Sequence, residues 1–376
     1  MNAKPTSATI RFFDNRQKYL MFVSTCDEKW KVAERAAEYL EALQPSVPGI
    51  RIFDAGVGDG SVLAHLLTAA HARFPTVPIH AVGKEISLED VRMTLGKLAD
   101  RFSEHPHLVI TLTNLNYSEA PQLIPRSHEK RSRLVFRTHQ LTGDCAYGFG
   151  EQLRDLDEFI EEHWAVRTSE KTGNPLYEHP TVLTIHRADQ AIALDNVIPQ
   201  PAVPIRSYDF ILASQPWRSR MGADFKAKRI LTPLARALGP NGQMVVVQSS
   251  GDDPGMEIID RIWHGENPFP VDRHALIESL RTELWPDAAE FQLDALSDEE
   301  SRIVYRLHAL PSDPAATIGT PSLLAAWNAA VYVGQIEDDR VEAVTASGEA
   351  LEVVRDVLTE HDGMWFNDES FVIRRR

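Results

Sequence analysis

Cysteine is nearly missing from this chain. Cys26 and Cys145 are the only two, and no C-x-x-C spacing occurs. Neither a disulfide framework nor a cysteine zinc site is indicated, and a reducing cytoplasm is the expected compartment. Histidine is plentiful, at 14 residues, but no H-x-x-x-H or H-E-x-x-H pair is present. No metal centre is therefore expected. Long apolar runs are also lacking: "MVVVQ" (244–248) is typical, far too short to cross a bilayer. The first residues, "MNAKPTSATIRFFDNRQ", have no apolar signal core, so no targeting peptide is expected. Positive charge is in deficit, with 39 Lys and Arg against 54 Asp and Glu, a formal charge of −15. Such a chain repels nucleic-acid phosphate and anionic membrane unless a local basic patch intervenes. Internal repeats and low-complexity tracts are missing too.

What remains is an ordinary globular composition, 43% hydrophobic and 25% charged over 376 residues. Apolar residues at Trp30, Val32, Ala33, Ala36, Ala37, Leu40 and Leu43 recur at helical spacing, and Pro45 ends the run. "IRIF" (50–53) reads as a buried strand, Ser61 to Phe74 as a helix and "VPIHAVGKE" (77–85) as a strand. Leu88 to Phe102 reads as a helix and "HLVITLTNL" (107–115) as a third strand. This rhythm predicts a parallel sheet with helices on both faces. It resumes with strands at 208–214 and 242–250 around a helix at 223–239, and closing strands are expected at 289–296 and 301–310. Residues 121–206 interrupt it, too long for a simple connection. We read them as an insertion with its own helix (150–164) and a basic cluster at Arg126, Lys130, Arg131, Arg133 and Arg137. That cluster is either a solvated surface or an anion site. Helices are also expected at 322–336 and 349–361, and a last strand at 363–376.

Between the first strand and its helix stands Asp54-x-Gly56-x-Gly58-x-Gly60. Glycines there let a backbone approach a ligand, and the following helix offers free amides. The spacing departs from the G-x-G-x-x-G of dinucleotide sites. It resembles motif I of the class I S-adenosylmethionine-dependent methyltransferases. The resemblance implies a Rossmann-like α/β fold with a seven-stranded, mostly parallel sheet. It implies S-adenosylmethionine as cofactor, with its carboxylate end at the helix terminus. Glu85 would be the ribose ligand, Asp90 would lie on the adenine side, and Asn116 and Ser214 would complete the cofactor contacts. Asp54 would touch the cofactor or brace the loop. The implied layout is an N-terminal helical lid (1–49), a Rossmann-like domain in two halves (50–120 and 207–310), the insertion (121–206) on the substrate side, and C-terminal helices with the last strand (311–376).

The strand ending Ser214-Gln215-Pro216-Trp217 resembles the (D/N/S)-P-P-(Y/F/W) signature of amino-group methyltransferases, with Gln215 in place of the first proline. Four blocks are similar to the histamine N-methyltransferase family: "RFFDNRQKYLMFVSTCDEKW" (11–30), "YDFILASQ" (208–215), "MVVVQSSGDD" (244–253) and "MWFNDESFVI" (364–373). That likeness implies a catalytic and acceptor-binding set of Glu28 in the lid, Gln215 after the fourth strand and Asp368 in the last strand. Tyr19 and Trp217 would wall the substrate, and Tyr19 and Phe12 could sit over a sulfonium. Bland readings stand beside each: Glu28 as a solvated helix-start acid, Asp368 in a surface pair, Gln215 satisfying loop backbone, Trp217 and Tyr19 as core. The expected function is methyl transfer to a nitrogen of a small, possibly cationic amine or imidazole-type acceptor. The alternatives are O- or N-methylation of a larger metabolite, peptide or nucleic-acid base, and a cofactor-binding regulatory protein without turnover. Whether the chain acts as a monomer or a homodimer is left open.

Overall fold

The computed structural model describes residues 16–45, 47–168, 175–205, 207–310 and 318–376; Phe12 lies outside them. Two helices open the chain, α1 (Arg16–Thr25) and α2 (Glu28–Leu40). The expected alternation follows: β1 (Ile50–Asp54), α3 (Ser61–Arg73), β2 (Ile79–Lys84), α4 (Leu88–Glu104) and β3 (Leu108–Thr113). Strands β2 and β3 are buried at every residue, which is why they read as continuous apolar runs. Helix α4 starts where the Ser87 side chain accepts the Asp90 amide at 3.2 Å.

The insertion holds α5 (His128–Ser132), β4 (Val135–Leu141), α6 (Ala146–Arg154), α7 (Asp157–His163), the short pair β5 (Val166–Thr168) and β6 (Pro175–Tyr177), and β7 (Thr181–Arg187). Next come β8 (Tyr208–Ser214) and a helical stretch of α8 (Ala223–Lys226), a π-turn (Ala227–Leu231) and α9 (Thr232–Ala235). The chain continues through β9 (Leu238–Ser249), α10 (Pro254–Ile262), α11 (Arg273–Glu283), β10 (Phe291–Asp294), α12 (Asp298–Ser301) and β11 (Arg302–Arg306). It ends with α13 (Thr320–Val333), α14 (Asp338–Ser347), α15 (Glu349–Glu360) and β12 (Trp365–Arg375).

One sheet carries the fold, in the order β10-β12-β9-β8-β1-β2-β3-β7-β4, with β11 also on β12. That makes ten strands among the described residues, not the expected seven. Strands β4 and β7 come from the insertion, which extends the sheet beyond β3 rather than standing apart from it. The expected closing strands at 289–296 and 301–310 do form, but each pairs with β12. The helix expected at 150–164 breaks into α6 and α7. The β3–β2–β1 and β8–β9 ladders are parallel, while β7 runs antiparallel to β3 and β12 antiparallel to β9.

Apolar side chains of α2, α3 and α4, including Val32, Ala36, Leu63, Leu66 and Leu98, cover one face. Leu231 and Leu234, with Leu276 and Leu280 of α11, cover the other. A third cluster joins α1, α10, α13 and α15 through Phe22, Ile258, Ala326 and Val354. It ties the first helix and the C-terminal helices into one wall.

Candidate active site

Strand order reverses between β1 and β8, since one leads on to β2 and the other to β9. Open α/β sheets bind ligands in the crevice at the carboxyl ends of the strands flanking such a point. A cavity of about 310 Å³ lies there, walled by the loops after β1, β2, β3 and β8, by α1 and the start of α2, and by the end of α13.

The three glycines do different work. Gly58 has φ +54° and Gly60 φ +80°, a region costly for other residues. A Cβ on Gly60 would stand 2.8 Å from the Thr94 Cα of α4, so Gly60 serves packing and does not line the cavity. Gly56 has no positive φ, and a Cβ there would find no protein atom nearer than 3.9 Å. Gly56 itself lines the cavity, beside the loop after β8. The protein's own packing does not demand a glycine there. Asp54 sits beneath the loop. Its Oδ1 accepts the Gly56 amide at 3.1 Å, and it does not line the cavity, so it braces. Burial, with some repulsion from Glu85, pushes its pKa up to about 7.

The expectation that the α3 terminus receives a ligand carboxylate is corrected by Asp59. Its own carboxylate accepts the Ser61 amide at 3.2 Å and the Ser61 hydroxyl at 2.7 Å, and it pairs with Lys97 at 2.5 Å. Glu85 lines the cavity and accepts three backbone amides: Gly58 at 2.9 Å, Ile86 at 2.7 Å and Ser87 at 2.9 Å. A carboxylate has about four acceptor positions, so one remains for a ligand hydroxyl. From the insertion, Trp164 Nε1 donates to the Glu85 carbonyl at 2.9 Å.

Helices α1 and α2 pack against this part of the cavity. Arg16 of α1 reaches Asp90 at 2.5 Å, and the Tyr19 hydroxyl accepts the Asp59 amide at 3.1 Å. Asp90, Tyr19, Asn116 and Ser214 all line the cavity, with Asn116 also donating to Glu119 at 3.0 Å. Lys29 of α2 lies on the same side, its Nζ 6.0 Å from the centre of the Tyr19 ring and 3.1 Å from Glu28. Burial works against its charge, but Glu28 and neighbouring groups more than offset this and hold its pKa above the ordinary value.

Three distant segments meet beside Lys29 and the loop after β1. Gln215, directly after β8, has φ +46°, a strained setting for a non-glycine residue and one that recurs at functional sites. Its Nε2 donates to Asp368 Oδ2 at 3.0 Å and lies 3.4 Å from Glu28 Oε1. Glu28 is only 5% exposed, so it is no solvated helix-start acid. Glu28 and Gln215 line the cavity; Asp368 does not. Asp368 lies wholly buried on β12, opposite Ser249 of β9. It is thus not a substrate contact but a support under Gln215. Burial first, then the Glu28 carboxylate, pushes its pKa up to about 8, against the hydrogen bond from Gln215. Because both amide hydrogens of Gln215 face carboxylates, its Oε1 is the atom left to face a ligand.

Trp217 lines the cavity, with Lys226 over its ring at 5.3 Å. Residues that the sequence reading passed over complete the wall: Lys84, Tyr117, Tyr305 and Tyr332, besides Lys29 and Arg16. Tyr332 stacks near Phe22 of α1, with ring centres 4.7 Å apart. Among the described residues none between 121 and 206 lines the cavity, and Trp164 stands behind its wall at Glu85. The basic cluster stays outside as well; Arg131 bonds the Pro125 carbonyl and Arg137 lies over Phe159. No three metal-ligating side chains cluster among the described residues, and no helix there is long and apolar enough to cross a membrane.

No family model and no curated protein matches the chain. Among solved structures it is similar to geranyl diphosphate methyltransferase bound to S-adenosylmethionine, at 12% identity over 92% of this chain and 85% of that one, with TM-score 0.32. It is similar to Haemonchus contortus phosphoethanolamine N-methyltransferase 2, at 9% identity over 98% of this chain and 60% of that one, with TM-score 0.33. A third likeness is to the CMeT domain of the citrinin polyketide synthase, at 13% identity over 73% of this chain and 52% of that one, with TM-score 0.34. Likenesses this slight decide neither family nor activity, and the likeness to histamine N-methyltransferase rests on the sequence blocks alone.

Proposed function

We propose that this protein transfers a methyl group from S-adenosylmethionine to a nitrogen of a small amine or imidazole-type metabolite. The observation that carries the reading is that Glu28 and Gln215, with Asp368 behind them, line the same cavity as the Gly56 and Gly58 backbone. The Gly56 backbone fits a ligand pressed against it, and the remaining acceptor position on Glu85 fits a ribose hydroxyl. Bound there, S-adenosylmethionine supplies a methyl group already activated by its sulfonium.

The chain's own residues then have two tasks. One is to hold the acceptor nitrogen in line and keep water out, and Tyr19, Tyr305, Tyr332 and Trp217 supply the apolar walls for this. The other concerns a proton. The nitrogen attacks as its neutral form and gives up a proton in forming the methylated product. Glu28 faces the cavity and takes that proton. Gln215 Oε1 accepts an N–H of the acceptor and so aims its lone pair, while Asp368 fixes the orientation of the amide. The negative charge shared by Glu28 and Asp368 favours a cationic amine on entry.

Mass spectrometry on the protein with S-adenosylmethionine and a panel of imidazoles and of primary, secondary and tertiary amines tests this. Amines bearing an N–H gain a methyl group, and tertiary amines, which offer Gln215 nothing to accept, do not. Methylation of hydroxyl compounds alone, or cofactor binding with no turnover of any acceptor, contradicts the proposal.

A further inference from the structure

Lys84 is a buried cation that the chemistry above does not use. It is the last residue of β2, only 9% exposed, and it lines the cavity. Among the described residues no carboxylate lies within ion-pair distance of it, and its close partner is the face of Tyr117, 4.7 Å from Nζ. The adjacent Glu85 carboxylate is turned to three backbone amides. Two other cations of the cavity wall have their acids: Arg16 has Asp90 and Lys29 has Glu28. An ammonium taken out of water without an anion is costly, and burial lowers the Lys84 pKa accordingly. A lysine kept there for its stem alone could be an apolar residue at less cost.

Its side chain reaches towards the acceptor end. Lys84 stacks on Tyr117, and the Tyr117 hydroxyl donates to the Pro216 carbonyl at 2.9 Å, one residue beyond Gln215. Lys29, by contrast, lies by Tyr19, whose hydroxyl stands 3.0 Å from where a Gly58 Cβ would be. Lys29 is thus held by Glu28, whereas Lys84, with no acid in ion-pair distance among the described residues, lies against the ring that bonds the segment carrying Gln215. We infer that Lys84 binds an anionic group of the methyl acceptor. The acceptor is then a zwitterion, with its nitrogen at Gln215 and Glu28 and a carboxylate or phosphate at Lys84. The inference rests on the methyl-transfer reading for the identity of the nitrogen end only.

Matched probes test it: histidine against histamine for a carboxylate, and 3-aminopropyl phosphate against 3-aminopropanol for a phosphate. Each is titrated by calorimetry into protein saturated with S-adenosylhomocysteine, and each is assayed for methyl gain. In at least one pair the anionic member binds roughly 10- to 100-fold more tightly. Lys84→Met keeps the stem and abolishes that discrimination, Lys84→Arg restores part of it, and S-adenosylmethionine affinity moves less than about twofold in both. The preferred pair tells carboxylate from phosphate. Equal binding within both pairs overturns the inference, as does a loss of about tenfold or more in S-adenosylmethionine affinity in Lys84→Met, which would give Lys84 to the cofactor. If the anionic probe binds through Lys84 but no nitrogen is ever methylated, the anion site stands and the methyl-transfer reading falls. If nitrogens are methylated with no preference for an anion, the reverse holds.

Discussion

Replacing Asp368 by asparagine should stabilise this protein in alkaline solution and not in acid. Asp368 is wholly buried, and burial together with the Glu28 carboxylate raises its pKa from 3.8 to about 8. The native state therefore holds this proton more tightly than the unfolded chain. The resulting stability is fully present below about pH 4 and is lost as pH rises through about 8. One pKa unit is worth about 1.36 kcal/mol, so a shift of about four units sets an upper limit of roughly 5 kcal/mol. Glu28 carries part of the same burden, and we expect about 2–3 kcal/mol. Asparagine stays neutral at every pH and keeps an oxygen for the Gln215 amide. At about 2.1 cal/mol/K per residue, 2–3 kcal/mol corresponds to about 3–4 °C. Differential scanning calorimetry of both proteins at about pH 5 and about pH 9 reads this directly. Asp54, with its pKa pushed up to about 7, and His105, lowered to about 4, also titrate, but they cancel in the difference between variants. A variant melting 3–4 °C above wild type at the higher pH, and no higher at the lower, is the expected result. A Tm difference of one size at both pH values would refute the reasoning.

Gly60→Ala should lower stability by about 1–3 kcal/mol, because the new methyl group meets Thr94 in a left-handed backbone; an unchanged denaturant midpoint would contradict this. Glu28→Gln should reduce kcat by about 10²–10⁴-fold, measured at saturating acceptor, if Glu28 takes the proton. Gln215→Ala should cut kcat/KM for the acceptor about 10- to 100-fold while S-adenosylmethionine affinity holds, since only the acceptor end loses a partner.

The parts of this fold that announce themselves are those buried on both sides. β1, β2, β3 and β8 read as strands because parallel neighbours and flanking helices exclude water from both faces, and the glycines stand where a chain must turn sharply. The insertion hid its strands for the opposite reason. β4 is an edge strand whose residues, "VFRTHQL", are mostly half-exposed or exposed and mixed in polarity, so no buried run betrays it. β7 owes its burial to pairing with both β3 and β4, a non-local fact. The helix read at 223–239 contains a π-turn that periodicity smooths over.

At the site, Glu28, Gln215 and Asp368 lie 153 or more residues apart where they involve Gln215, and only resemblance joined them in the sequence. Their depth was not legible: Asp368 reads as a substrate ligand in the sequence, but it lies wholly buried behind Gln215 and off the cavity wall. Gly60 serves packing rather than contact, and Asp54 fits the bracing alternative that the sequence left open beside contact. Lys84 went unnoticed because the acid beside it drew attention to the end of the strand. Its significance comes from which face of the sheet it enters and from the lack of a nearby acid among the described residues, and neither is a property of sequence.

The cradle at Gly56 is the central claim, and calorimetric titration of wild-type protein and Gly56→Val with S-adenosylmethionine tests it most directly. The valine Cβ meets no protein atom nearer than 3.9 Å, its two methyl groups add bulk at a residue that lines the cavity, and the Tm of the variant checks its folding. Saturable binding to the wild type, lost by about 100-fold or more in a variant of unchanged Tm, is the predicted result. Equal binding by both proteins, or none by well-folded wild type, would contradict the account.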